Sequence, residues 1–98
     1  MNYTQLPTTY KEDVIAEAMY AREMEYFHYE FDATNFRHLI QTAPDEAFRQ
    51  EMAKRLDATL KQMETVEAIY AALQSQITSP EAHAAAVQRA IEKRKAAP

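Results

Sequence analysis

The residues best spaced to do chemistry are Glu25 and His28. Glu25-Tyr26-Phe27-His28 is an E-x-x-H on an expected helix, and Asp32 follows one turn further along the same side. Side chains three or four apart share a helix face, so a Glu and a His at this spacing can both reach one ion. Ferritin-like di-metal bundles are built from that unit, and they need further carboxylates and a second such motif from other helices. Glu64 and Glu67 are the nearest candidates in the following helix, but they flank Val66 instead of sharing its direction. A half bundle of this kind would have to complete its site by dimerising. Against chemistry stands a plainer reading. Glu25, His28 and Asp32 fall between two apolar stripes, where a solvated face is expected, and Glu-rich helices produce E-x-x-H by accident. The solvated face is the main reading; a metal-binding half bundle with Glu25, His28 and Asp32 as ligands is the alternative.

Other catalytic schemes have less support. His38 lies near the end of an aromatic stripe and is expected to cover it as an amphipathic side chain. His83 falls in the first turn of a short helix and is expected to be exposed. No Ser has a neighbouring His and acid in a recognisable arrangement, although sequence order alone does not exclude a triad. Tyr20, Tyr26 and Tyr29 could donate to an oxyanion, but at helical spacing such residues belong to a core or an interface. The expectation is a protein that is not an enzyme and needs no cofactor.

The elements that position these residues are legible from punctuation. The 98 residues include no glycine, no cysteine and four prolines, which disfavours hairpin turns, phosphate-cradling loops, disulfides and thiolate metal sites. Thr9-Tyr10-Lys11-Glu12 reads as a capping box, with Thr9 at the N-cap and Glu12 reaching back to it. A first helix is expected over about 10–41, preceded by an extended arm over 1–8. Thr42-Ala43-Pro44-Asp45 separates it from a second helix over about 44–76, with Pro44 in the first turn, where its missing N–H is harmless. Glu51/Arg55 and Asp57/Lys61 are acid-to-base pairs at i,i+4 on its outer side. Ser79-Pro80-Glu81 reads as N-cap, N1 and N2 of a third helix ending near 95.

At about 100° per residue, the first helix is apolar on two separate sides. Ile15, Met19, Tyr26, Tyr29, Ala33, Phe36 and Ile40 form one stripe, with Arg22 in one of its slots. Ala16, Tyr20, Met24, Phe27 and Phe31 form the other. The second helix has one stripe, Phe48, Met52, Leu56, Thr59, Met63, Val66, Tyr70, Leu73 and Ile77. A helix at the edge of a bundle needs one apolar stripe; a helix with two must be covered twice. Folding back at Pro44 sets Phe36 beside Met52, Ala33 beside Leu56 and Tyr26 beside Met63. The expected fold is therefore all-α: a long antiparallel helical hairpin with coiled-coil-like packing, plus a shorter third helix. The third helix, with Ala84, Val87, Ala90 and Ile91 as its apolar set, can cover Ala16 and Tyr20 only. Phe27 and Phe31 are left over, which points to a dimer forming a larger helical bundle.

Charge refines the choice of partner. The net charge is -4, and seven acidic residues lie between Glu12 and Asp32 against the single basic Arg22. The basic end, Arg89, Lys93, Arg94 and Lys95, is where cations complement a helix dipole. The aromatic residues lie in the acidic half, so nucleic acid is not an expected ligand. No apolar run approaches the ~20 residues of a membrane span, and the N-terminus has no basic and apolar leader pattern; the chain is expected to be cytoplasmic. The function these features suggest is a non-enzymatic protein–protein interaction module, of the accessory regulator, chaperone or inhibitor type. Its interface would hold Tyr20, Met24, Phe27 and Phe31, with Glu23 and Glu30 as a charged rim. A homodimer is the expected assembly, and a heterologous protein with a basic surface is the other candidate.

Overall fold

The computed structural model describes residues 8–97, the side chains of Thr8 and Thr9 excepted. The chain is all-α: α1 (Thr8–Gln41), α2 (Glu46–Gln74) and α3 (Pro80–Ala96), with no strand among the described residues. It divides into two compact units. Among the described residues, one combines 8–22 with 69–97, and the other is 23–68.

The helix ends follow local chemistry, with corrections to the sequence reading. Thr8 and Thr9 are already helical, so Thr9 is not the N-cap of α1; the rest of the expected arm lies outside the described residues. Glu12 does not reach back to a cap either, because its carboxylate is engaged elsewhere. α1 closes where the Thr42 hydroxyl and N–H both donate to the His38 carbonyl at 3.0 Å. α2 begins at Glu46, two residues later than expected. Asp45 is its cap and accepts from the Phe48 N–H at 2.8 Å, which leaves Pro44 outside the helix. Its C-terminal end tightens, with Gln76 and Ile77 donating to carbonyls three residues back. That turn accounts for the expected extension to 76. Ser79 caps α3 as expected, accepting from the Ala82 N–H at 3.2 Å, with Pro80 at the first helical position.

In the first unit the core is Ile15, Met19 and Leu73, with Ala18, Tyr70 and Ile77 packed against it. Fully burying a side chain of the size of Ile15 contributes about 1.5–3 kcal/mol. α3 buries Ala86 and Ala90, while Val87, Ile91 and Ala84 are exposed. Of the apolar set expected for α3, Ala90 is buried as expected, whereas Ala84, Val87 and Ile91 are not and Ala86 is buried in their place. Small side chains let its backbone come close, and that side continues into the polar contacts of His83 and Arg94 described below.

In the second unit Ala33, Met52, Thr59 and Val66 are buried. Tyr29, Asp32 and Phe36 of α1 line a shallow hollow together with Arg55, Ala58, Thr59 and Gln62 of α2. Phe36 and Leu56 are half-buried. Thr59 is a polar residue in an apolar stripe, and its hydroxyl donates to the Arg55 carbonyl at 2.9 Å, so no buried polar group is left unmatched there. The outer i,i+4 pairs are present, Arg55 with Glu51 at 3.3 Å and Lys61 with Asp57 at 3.0 Å.

Candidate interaction surface

α1 is a helix of 34 residues with neither glycine nor proline, and both stripes lie on it. The stripe of Ile15, Met19 and Ala33 is buried. The other stripe has two different fates. In the first unit, Ala16 is buried and the Tyr20 ring is roofed by the Arg94 guanidinium, 3.4 Å from the ring centroid. Arg94 also donates to Glu17 at 2.7 Å, and Arg89 donates to Asp13 at 2.7 Å. The basic end of α3 thus does more than complement its own dipole: it grips the acidic first turns of α1.

In the second unit the stripe is open to solvent. Phe27 is 60% exposed, Phe31 68% and Met24 40%. The rings lie one turn apart on the same side of the helix. Glu23, Glu30 and Arg37 are exposed along one flank. On the other flank, Glu25 is half-buried, and His28, Asp32 and Asn35 are exposed. His38 is exposed as well. Tyr26 and Tyr29 are half-buried in the inner stripe, away from this face. Among the described residues, no group of three or more His, Asp or Glu side chains converges to hold a metal ion.

One polar cluster has no counterpart in the sequence reading. In the first unit Glu12 is fully buried and Lys11 nearly so. The Lys11 ammonium donates to the Thr78 hydroxyl at 2.6 Å and lies 4.0 Å from Glu12 Oε1, which also accepts from the Thr78 N–H at 3.5 Å. His83 is half-buried, not exposed as its first-turn position suggested, and its Nδ1 lies 3.3 Å from Glu12 Oε2. Those two atoms have no other hydrogen-bond partner, so a proton on Nδ1 would let the imidazole donate to the carboxylate. The cluster ties α1 to the loop after α2 and to the first turn of α3.

No protein-family model, curated protein or solved structure matches the chain.

Tyr26 marks the opposite, inward side of the same helix. The Glu67 carboxylate accepts from its hydroxyl, and this bond, with lesser contributions from desolvation and from the charges of Glu67 and Glu30, holds the phenol above the ordinary tyrosine value. The folded state therefore keeps this proton longer than the unfolded chain does. Stability from the contact is complete below the ordinary tyrosine pKa and is lost as pH rises through the raised one. Ultraviolet titration of the tyrosinates should show Tyr26 ionising late, and Glu67→Gln should bring it back toward the others. An unchanged titration curve in Glu67→Gln would mean that the two side chains do not meet.

Proposed function

We propose that this chain is a non-enzymatic helical protein–protein interaction module whose docking face is the outer side of α1 around Met24, Phe27 and Phe31, rimmed by Glu23 and Glu30. The observation that carries this reading is the exposure of two phenylalanine rings one turn apart, at 60% and 68%. Contiguous exposed apolar surface rimmed by charge marks association sites on soluble proteins. Rings on a helix are also efficient anchors, since they contribute area with only two torsions to fix. An antiparallel α1–α2 hairpin underlies the face. The Tyr26–Glu67 contact and the shared hollow of Tyr29, Phe36, Arg55 and Gln62 support that geometry. An accessory regulator, an assembly chaperone or an inhibitor would each use such a face.

Phe27→Asp tests the reading. The ring contributes little to the folded monomer, so helicity and the denaturation midpoint should change by no more than about 0.5 kcal/mol, the range of surface substitutions. Association should be lost, because a carboxylate in a desolvated apolar contact is costly. Circular dichroism and sedimentation read the two effects separately. If Phe27→Asp unfolds the dilute protein, the ring belongs to the core and the face is not a docking surface.

A further inference from the structure

We propose that the occupant of this face is a second copy of the chain, docked antiparallel, with Phe27 of each copy against Phe31 of the other and Glu23 of each copy paired with Arg37 of the other. The inference rests on the interaction-surface reading and adds the partner and the register. The exposed positions Met24, Phe27, Phe31 and Thr34 recur at alternating spacings of three and four, the pattern of a coiled-coil seam. A two-fold axis across the seam at the level of Tyr29 pairs each large residue with a complementary one: Phe27 with the partner's Phe31, and Met24 with the partner's Thr34. In an antiparallel pair the flank of one helix runs beside the same flank of the other. Here that flank holds Glu23, Glu30 and Arg37, each seven residues from the next. Symmetry then sets Glu23 opposite the partner's Arg37 twice, against one like-charge contact of Glu30 with its own copy. The opposite flank brings His28 to the axis and forces no two carboxylates together, since Glu25 and Asp32 lie one position further out.

The alternatives fit the charges less well. A parallel pair would set Glu23 and Glu30 near His28 and Asn35 and leave Arg37 without an acid. A uniformly basic partner would suit Glu23 and Glu30 but would meet Arg37 with like charge. A seam of this length is smaller than the interfaces of obligate dimers, so association should be concentration-dependent.

The absence of native cysteine makes the register directly readable. The full chain should pass from monomer to dimer in sedimentation between low micromolar and near-millimolar concentration. Under mild oxidation Glu30→Cys should give a disulfide-linked dimer, because residue 30 meets its own copy at the axis. Met24→Cys should not, since the two copies of residue 24 are ten residues apart along the seam, about 15 Å at the helical rise. Arg37→Glu should weaken the dimer about tenfold by replacing two attractions with two repulsions, and Glu23→Arg combined with Arg37→Glu should restore it. Cross-linking at residue 24 but not at 30 would overturn the antiparallel register. A wild-type chain that stays monomeric throughout would overturn self-association; with Phe27→Asp still folded, the interaction-surface reading would survive with a different partner. Unfolding of Phe27→Asp would overturn both.

Discussion

Glu12→Ala is expected to cost about 3–5 kcal/mol, the usual consequence of removing one partner from a buried charged cluster. The carboxylate is fully buried, and the Lys11 ammonium beside it is almost as deeply placed. Without Glu12, Lys11 keeps the neutral Thr78 hydroxyl in place of a carboxylate, and the Thr78 N–H and His83 Nδ1 lose this acceptor. Small domains have about 5–15 kcal/mol in total, so the loss should shift the urea midpoint far and could unfold the first unit outright. Glu12→Gln should cost less, because an amide oxygen can still accept. Replacing the whole cluster with Lys11→Met, Glu12→Leu and His83→Leu should recover much of the loss, since a buried ion cluster is weak support compared with well-packed apolar groups. A midpoint for Glu12→Ala within about 0.5 kcal/mol of wild type, the range typical of exposed sites, would show that this carboxylate is solvated.

Glu12 also shows where sequence reading stops. Its position between the apolar stripes of α1 looks solvated on a helical projection. It is buried by contacts with Thr78 and His83, 66 and 71 residues further along the chain, which leave no local trace. The packing side of α3 was misread for a related reason. Of the expected set only Ala90 is buried; hydropathy favours Val87 and Ile91, whereas close approach of a helix favours Ala86 beside Ala90. Local chemistry was readable: the Ser79-Pro80 cap, the acid-to-base pairs on α2 and the burial of Ile15, Met19 and Ala33 all follow from spacing and residue type. The exposure of Phe27 and Phe31 was readable as well, because they are the large residues of a second stripe on a helix whose first stripe already supplies its buried side. The roof that Arg94 places over Tyr20 was not, since a cationic last turn already has a sufficient local reason to exist.

The two faces of α1 make opposite demands at neighbouring positions, and the contrast is sharpest at residues 33 and 34. Ala33 is fully buried in the inner stripe, and Thr34 is exposed next to it. Ala33→Asp should cost at least about 3 kcal/mol, because a larger, charged side chain would replace a fully buried methyl group. The Thr34 hydroxyl donates to the Glu30 carbonyl of its own helix at 3.0 Å, a bond that adds little to a helix already hydrogen-bonded. Thr34→Asp should therefore leave the monomer's denaturation midpoint nearly unchanged and act on association instead, as Phe27→Asp does. One turn of helix would then hold a position that decides folding and another that decides docking. Equal destabilisation at the two sites would mean that both stripes of α1 are internal, and a stable Ala33→Asp chain would mean that the helix packs on α2 through a different side.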